Sequence, residues 1–320
     1  MSDSIFGTQG EEQLANDINI FSNPGDTETG TSFPVTTTVD EGESGLESTP
    51  VYNPAELNDP NSINVSITNT TVPLVILFGP PSCGKTMTLV RLTRYLSRKG
   101  FDVQPKKNFR PAYDENYKQL CNGFNSLINS NDAAESTNRI NFMLIEVLKG
   151  GKSICQLLES PGEFYFDKNN PNAPFPNFLN TIFSKDNRKI VAMMLEPDWL
   201  EDADRKNYVR KILDMKRKMR SRDRSIIVFN KIDKTPFVIA PGRINRRSAL
   251  KEVRDLYPDL IESFKNLNPI TSLWKPYEVD FVPFQTGDYS MTSSGRTTFQ
   301  EGPDEYPRML WEKILKGITG

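Results

Sequence analysis

The sequence predicts an α/β protein in which a mostly parallel β-sheet carries helices on both faces. From residue 72 onward, short apolar runs alternate with longer segments of helical periodicity, which is the order of strands joined by crossover helices. The first apolar run, 72–78, ends at the glycine-rich segment "GPPSCGKT", which leads directly into the first helical segment. We therefore expect the chain to turn sharply from a buried strand into a helix at this point.

Hydrophobic patterns predict the individual elements. Continuous apolar runs predict strands buried on both faces, at 72–78, 189–197, 224–230 and 277–284. Helical spacing predicts helices at 85–100, at about 197–220, at 246–267 with a break near Pro258, and at 304–318. The region 101–140 shows no clear period.

A hairpin is predicted at 141–159. The apolar segments 141–148 and 153–159 flank the residues "KGGK", and glycines suit a tight turn between antiparallel strands. This hairpin would place one antiparallel edge strand against an otherwise parallel sheet.

Charge divides the chain into two parts. Residues 1–84 carry 12 acidic and no basic side chains, although the whole chain has 39 Lys and Arg. Because residues 1–65 lack a sustained hydrophobic period, we expect a disordered acidic N-terminal region there and one folded domain over 66–320. The acidic region is expected to be solvated, or else to dock on the basic body or on a partner.

Composition excludes several kinds of chemistry. The chain has no histidine, which rules out His-based triads and His metal sites. Its three cysteines, Cys83, Cys121 and Cys155, lack metal-ligand spacing and fit a reducing compartment. No run approaches the roughly 18 apolar residues of a membrane span, and no secretory signal is recognisable. We expect a cytoplasmic protein.

The segment Gly79–Thr86 fits the phosphate-loop spacing G-x-x-x-x-G-K-[ST]. Backbone N–H groups of such a loop and of the following helix start would wrap phosphates, while Lys85 adds a point charge and Thr86 coordinates Mg²⁺. The predicted phosphate-binding residues are Gly79, Pro80, Pro81, Ser82, Cys83, Gly84, Lys85, Thr86 and Met87. Cys83 is expected to be a small packing residue, with a redox-sensitive thiol as the alternative.

Two further motifs follow predicted strands. In "NKID", the Asp233 carboxylate can accept two hydrogen bonds from guanine, whereas adenine lacks that donor pair. Asn230 can brace the base and the phosphate loop, and the Lys231 stem can cover the ring face. In "LLESPGEF", a strand ends at Glu159, and the free N–H of Gly162 can meet a γ-phosphate.

Along the chain, the phosphate loop, the carboxylate-x-x-Gly motif and the Asn-Lys-x-Asp motif follow successive strands in that order, which resembles the TRAFAC-class P-loop GTPases and the Ras-like domain in particular. The resemblance covers about 72–320 and implies a Ras-like P-loop NTPase fold that binds GTP or GDP with Mg²⁺. It further implies that Glu159 replaces the family's magnesium-holding aspartate and that Gly162 senses the γ-phosphate. The family's base-contacting loop falls on Gln285, Thr286 and Gly287, without the usual Ser-Ala-Lys.

The resemblance also supplies the catalytic candidates. The threonine that closes over Mg²⁺ would be Thr137, with Ser136 as the alternative, and Glu163 stands where the family has a water-orienting glutamine. A carboxylate beside the γ-phosphate favours slow hydrolysis. The catalytic candidates are thus Lys85, Thr137, Gly162 and Glu163, and the metal ligands are Thr86, Thr137 and Glu159. Arg110 and Arg139 are either solvated loop residues or an internal arginine finger.

The function implied is a slow GTP-hydrolysing molecular switch. A nucleotide-binding scaffold or assembly subunit with negligible hydrolysis is the alternative, favoured by Glu159 and Glu163, whereas Asn230 and Asp233 disfavour an ATPase. Regulators or effectors are expected at the loops 101–140 and 161–178, the second through exposed aromatic side chains. Oligomeric state stays open, because some members of the class dimerise across the nucleotide face.

The segment 205–224 holds ten basic residues. It is expected to be a solvated helix face, with an apolar face made by Val209, Ile212, Leu213 and Met215 or Met219. The alternatives are contact with nucleic acid, with an anionic membrane or with the acidic N-terminal region.

Overall fold

The computed structural model describes residues 56, 59–130, 142–164, 166, 170–197, 202–293 and 297–320. The chain divides into two units, 1–46 and 47–320, and the fold described below is that of the second. Its main element is a seven-stranded sheet, accompanied by two two-stranded sheets.

The strands of the main sheet run in the spatial order β2-β3-β4-β1-β5-β6-β9. Their bounds are β1 Leu74–Phe78, β2 Asp102–Pro105, β3 Leu144–Lys149, β4 Lys152–Glu159, β5 Lys189–Leu195, β6 Arg224–Phe229 and β9 Val279–Pro283. The small sheets pair β7 Val238–Ala240 with β8 Arg243–Ile244, and β10 Gly287–Met291 with β11 Thr297–Glu301.

Helices lie in the connections between these strands. They are α1 Lys85–Arg98, α2 Glu115–Asn129, α3 Asn177–Ser184, α4 Asp202–Lys218, α5 Arg246–Leu256, α6 Pro258–Ser263 and α7 Glu305–Thr319. The expected break before Pro258 separates α5 from α6, because proline fits the first turn of a helix but not its interior. None of the helices in the described part of the chain has the length and apolar character needed to cross a bilayer.

The sheet confirms the predicted mixed architecture. β4, β1, β5, β6 and β9 are parallel, and β3 pairs antiparallel with β4 through the predicted hairpin. Gly150 and Gly151 form its turn with φ values of 57° and 75°, which glycine adopts without steric cost. The sequence did not predict β2, which lies outside β3 at the edge of the sheet.

The core lies on both faces of the sheet. Every residue of β1 and β5 is buried, and consecutive strand residues point to opposite faces, so both faces are covered. Tyr208 of α4 is fully buried, and its hydroxyl lies 3.0 Å from Phe78 O and 2.9 Å from Met194 O. This side chain therefore holds α4 against the carboxyl ends of β1 and β5.

The folded unit begins before the predicted boundary at residue 66. Ile63 belongs to the core, with 4% of its surface exposed, and Ser66 N donates to Phe109 O over 2.8 Å. Still earlier in the chain, Glu56 accepts hydrogen bonds from Arg110. Ile63 is an isolated apolar residue that gives no periodic signal, so the sequence could not indicate that it packs on the domain.

Arg110 is neither a solvated residue nor an arginine finger. It is 7% exposed, forms ion pairs with Glu56 and Asp114, and stacks its guanidinium over the Phe142 ring. A buried cation of this kind attaches the segment before β1 to the edge of the sheet.

We expect Arg110→Ala to lower the free energy of unfolding by about 3 kcal/mol, because it leaves the Glu56 carboxylate buried without its partner. Urea denaturation measures the change. The control is Lys118→Ala, which breaks an exposed pair with Glu115 and should change stability by less than about 1 kcal/mol. Equal losses in both variants would contradict this assignment.

Candidate nucleotide-binding site

The predicted phosphate loop connects β1 to α1. Ser82 and Gly84 have left-handed backbone conformations, with φ values of 61° and 87°, and α1 begins at Lys85. Alternation of this kind turns successive N–H groups toward one concavity, which is an anion-binding arrangement. A Cβ at Gly84 would also overlap the Asn230 side-chain amide, so that only glycine fits there.

Lys85 is bound to the beginning of the loop. Its ammonium donates to Gly79 O over 3.0 Å and to Pro80 O over 2.8 Å, and the residue is 6% exposed. Both acceptors are carbonyl oxygens of the loop itself. The positive charge is thereby fixed beside the turn instead of extending into solvent.

Thr86 and Glu159, two predicted metal ligands, lie next to each other. The Thr86 hydroxyl donates to Glu159 Oε1 over 3.4 Å, and Phe142 N donates to Glu159 Oε2 over 2.8 Å. Hydroxyl and carboxylate oxygens are the ligands that Mg²⁺ prefers, and one or two protein ligands suffice when phosphates and water supply the rest. The Glu159 carboxylate thus lies beside the Thr86 hydroxyl, and magnesium binding by the pair stays a prediction.

No group of three or more His, Cys, Asp or Glu side chains in the described part of the chain could hold a metal ion. Thr137 lies outside the described residues, as does the side chain of Glu163, so their catalytic roles stay predictions.

Gly162 packs directly against the phosphate loop. A Cβ at this position would come within 2.6 Å of Gly79 O and of the Pro80 carbonyl carbon. The backbone of Gly162 lies so close to the backbone of the phosphate loop that no side chain would fit between them. The structure thus brings Gly162 to the loop, as a γ-phosphate contact would require.

Asn230 joins the "NKID" motif to the phosphate loop. Its Nδ2 donates to Cys83 O over 2.9 Å, and the residue is 2% exposed. Asn230 N donates to Leu195 O over 2.7 Å, which places the motif at the carboxyl end of β5 as well as of β6. The predicted bracing role of Asn230 toward the loop is present in this structure.

The remaining "NKID" residues differ in exposure. Lys231 has a φ of 53° and pairs with Glu196, and Asp233 is exposed on the short turn Ile232–Lys234. Ile232 is buried, and its N–H donates to Phe284 O over 3.1 Å. This bond brings the turn beside the predicted base-contacting loop.

The loop Gln285–Thr286 is largely buried and leads into β10 at Gly287. The Thr286 hydroxyl lies 2.8 Å from the Tyr289 hydroxyl, and a Cβ at Gly287 would overlap Gln300 O of β11. The predicted loop is therefore the start of a hairpin, β10–β11, that the sequence analysis missed. The alternation of polar and apolar side chains in "GDYSM" and "TTFQE" was the sequence pattern that could have indicated these two strands.

Three arginines of α1 hold this hairpin. Arg91, Arg94 and Arg98 share one face of the helix, and all three pair with Glu301 at the end of β11. Burial by itself would raise the pKa of Glu301, but the Arg98 hydrogen bond and the Arg91 and Arg98 charges outweigh it, so the pKa is lowered. Ion pairs thus connect the hairpin beside the predicted base-contacting loop to α1, the helix that begins at Lys85.

Met87 is packed away from the loop. It is 6% exposed and forms a small apolar cluster with Phe299 of β11. That side chain anchors the hairpin, while the backbone of Met87 belongs to the first turn of α1, so its contact with phosphates stays a prediction.

The aromatic residues of the loop 161–178 are mostly buried, contrary to expectation. Phe166, Phe175 and Phe178 are 7%, 7% and 1% exposed, and Phe164 is partly buried, whereas Tyr165 lies outside the described residues. Phe178 packs edge-on against Phe142, with ring centroids 4.9 Å apart. The apolar character of this loop therefore serves its own domain.

The basic segment 205–224 is only in part a solvated face. Val209, Ile212 and Met215 are buried as predicted. Several cations bind neighbouring segments: Lys211 lies over the Phe175 ring and Lys216 over the Phe264 ring. Binding of an anionic partner here stays a prediction.

Comparisons with known proteins add little. No protein-family model matches the chain, and a search of curated proteins found no match. One similar solved structure is Toc33 from Arabidopsis thaliana in complex with Mg²⁺ and GMPPNP, at 12% identity and a TM-score of 0.43, with 78% of this chain and 85% of that chain covered.

Two other solved structures are similar at the same level. The signal recognition particle receptor SRb-GTP/SRX complex from Chaetomium thermophilum has 13% identity and a TM-score of 0.36, over 77% of this chain and 98% of that chain. The G domain of the T. maritima FeoB iron transporter has 13% identity and a TM-score of 0.35, over 77% and 98%. Likeness this low supports no inference about ligand or activity.

The chain's own geometry decides the fold. Its phosphate loop, lying between a central parallel strand and a helix, gives it a P-loop NTPase fold. The chemistry of the site is argued below from these contacts alone.

The cysteines give a test of the site's packing. Burial raises the pKa of Cys83 to about 11, against the lowering effect of the Lys85 charge, and the pKa values of Cys121 and Cys155 are raised by burial as well. Because the thiolate is the nucleophile, we expect no rapid labelling by a thiol reagent at pH 8 in the native protein, and an increase only as pH approaches the raised pKa values.

Denatured protein should expose all three thiols, which a colorimetric thiol titration counts. The matched variant Cys83→Ala should lose one thiol in denaturant and none in the native state. A fast native thiol that disappears in Cys83→Ala would instead support the redox alternative.

Proposed function

We propose that this chain is a guanine-nucleotide-binding protein that holds GTP or GDP with Mg²⁺ and hydrolyses GTP slowly. The single observation that carries the proposal is the hydrogen bond from Asn230 Nδ2 to Cys83 O. It connects a motif suited to guanine with a loop suited to phosphates, although the two are 147 residues apart. One molecule can contact both motifs only if it contains a base and a phosphate chain.

At the phosphate end, the backbone amides around Ser82 and Gly84 would bind the inner phosphates and the Lys85 ammonium the outer ones. Thr86 and Glu159 would hold Mg²⁺, which supplies charge neutralisation at the β- and γ-phosphates when it is bound. Gly162 would present its N–H to the γ-phosphate. This is the contact by which a triphosphate differs from a diphosphate in this site.

At the base end, the Asp233 carboxylate would accept hydrogen bonds from the N1–H and 2-amino group of guanine. Asp233 is exposed on a turn that the hydrogen bond from Ile232 N to Phe284 O holds in place. Lys231 would cover one face of the base. The backbone at Gln285 and Thr286 would complete the pocket.

Hydrolysis would occur by in-line attack of water on the γ-phosphate, with the leaving charge stabilised by Lys85 and the loop amides. The chain has no histidine to act as a base. Glu163 carries negative charge at the position where the family orients the water with a neutral amide. This repulsion is the reason to expect a slow reaction.

A second candidate is a nucleotide-binding scaffold with negligible turnover. The observation that favours it is that Glu159 already accepts a hydrogen bond from Phe142 N. A carboxylate used to anchor the backbone is a poorer magnesium ligand than one that is free to move. Single-turnover hydrolysis assays distinguish this candidate from the switch.

For nucleotide specificity, we expect Asp233→Asn to reduce the preference for GTP over ATP at least about a hundredfold, because the carboxylate that pairs with guanine is gone. Competition binding with a fluorescent nucleotide measures the ratio. Lys85→Ala should weaken both nucleotides without changing their ratio. The control is Lys234→Ala on the same exposed turn, which should leave affinity and ratio unchanged.

For hydrolysis, we expect turnover below about 1 per second at saturating GTP and Mg²⁺, near the low end for enzymes. Glu163→Gln should increase the single-turnover rate, because it removes the like charge while keeping the size of the side chain. If neither protein releases phosphate but both bind GTP, the scaffold function is the correct one.

A further inference from the structure

The connection between α6 and β9 concentrates exposed apolar side chains in one place. Leu267, Ile270, Leu273 and Trp274 are 87%, 73%, 79% and 86% exposed. Single exposed apolar residues are ordinary on protein surfaces, but a contiguous group is not. We call residues 264–278 the apolar loop.

The apolar loop is closed at its base by backbone hydrogen bonds. Asn266 N donates to Pro276 O over 2.8 Å, and Glu278 N donates to Phe264 O over 2.7 Å. Lys265 and Tyr277 form an isolated antiparallel bridge between the same two ends. Phe264 is buried in the core and fixes the loop to the domain.

The side chains of two asparagines form hydrogen bonds with polar groups inside the loop. Asn266 is 7% exposed, and its Nδ2 donates to the Thr271 hydroxyl and to Lys275 O, each over 2.9 Å. Asn268 Oδ1 accepts from Ile270 N over 3.0 Å and from Thr271 N over 3.2 Å.

Most backbone amides of the tip donate hydrogen bonds within the loop. Those that donate within the loop belong to Asn268, Ile270, Thr271, Ser272, Trp274 and Lys275. Pro269 has no N–H. The polar backbone is thus turned inward while the large apolar side chains are turned outward.

Positive charge surrounds the base of the loop. Residues 264–277 contain Lys265 and Lys275 and no acidic side chain. Lys216 lies over the Phe264 ring and Arg254 over the Tyr277 ring. The facing acidic groups are Glu262, which pairs with Lys265 over 3.7 Å, Glu278, and Asp280, which lies near Lys275 and pairs with Lys313. The four cations at the base outnumber these three carboxylates.

We propose that the apolar loop inserts into the surface of a lipid bilayer that contains anionic lipids. Leu267, Ile270 and Leu273 would enter the acyl boundary, and Trp274 would lie at the headgroup level that tryptophan prefers. The lysines at the base would face the anionic headgroups. This membrane contact goes beyond the proposed nucleotide chemistry and does not depend on it.

The hydrogen bonds favour a lipid over a protein as the occupant. An apolar medium offers no partner for a backbone amide, so internal hydrogen bonds of the kind that most amides of this tip form favour entry into such a medium. A protein interface, by contrast, forms about one hydrogen bond per 100–200 Å². The tip keeps few donors with which to form them.

Co-sedimentation of the full chain with lipid vesicles tests the proposal. We expect binding to phosphatidylcholine vesicles that contain phosphatidylserine and weaker binding to phosphatidylcholine alone. The double variant Leu273→Ser/Trp274→Ser should bind the anionic vesicles at least about tenfold more weakly, because two large side chains lose their apolar burial. Lys265→Gln/Lys275→Gln should lose most of the preference for anionic lipid.

Matched controls come from exposed apolar residues elsewhere. Ile239→Ser and Tyr113→Ser remove side chains that are 65% and 73% exposed outside the loop, and vesicle binding should not change. Urea denaturation should show unchanged stability in every variant, since the substituted side chains are exposed. Trp274 emission should shift to the blue on binding.

Absence of wild-type binding to either vesicle would overturn the proposal, as would equal binding by the Leu273→Ser/Trp274→Ser variant. Analytical ultracentrifugation without lipid tests the alternative that a second copy of this chain binds the apolar loop. Self-association of the wild type that this variant abolishes, with no vesicle binding, would assign the loop to a second copy of the chain. Nucleotide affinity, measured in parallel, reports separately on the proposed function.

Discussion

The hydrogen bond between Asn230 Nδ2 and Cys83 O is the contact on which the candidate site depends. A phosphate loop is a stretch of backbone with left-handed residues, here Ser82 and Gly84, and it has few side chains with which to hold its own shape. Its support therefore comes from the neighbouring strands. Asn230 provides it from β6, and Gly162 provides it after β4 by packing on Gly79. Without such supports the amides would have no fixed direction.

Strand order explains why these supports meet. In the sheet, β4 and β5 flank β1, and β6 and β9 follow beyond β5. Because the five strands are parallel, their carboxyl ends lie along one edge, and every motif directly follows one of them. The motifs themselves are local sequence patterns, and buried apolar strands are continuous enough to recognise. The sequence could therefore predict both the sheet and the phosphate loop at its edge.

What the sequence could not predict depends on distant contacts. β2 has a single buried residue, Val103, so that no period marks it as a strand. Arg91 looks like a surface residue of an amphipathic helix, yet it is buried by ion pairs with Glu301 and Asp304, more than 200 residues away. Those ion pairs and the contact between Met87 and Phe299 hold the hairpin β10–β11 against α1. Side chains of this kind acquire their role from the tertiary fold, and their own spacing does not reveal it.

The length of the Glu159 side chain determines which groups its carboxylate contacts. With one more methylene than aspartate, its carboxylate reaches the Thr86 hydroxyl through one oxygen and Phe142 N through the other. Phe142 follows directly on the segment that contains Thr137, the predicted switch threonine. Any displacement of the carboxylate must therefore lengthen or break the bond to Phe142 N, since Glu159 is 2% exposed and has little room to adjust. Glu159 therefore couples the proposed binding of magnesium to the position of the chain that enters β3. This coupling holds for both candidate functions.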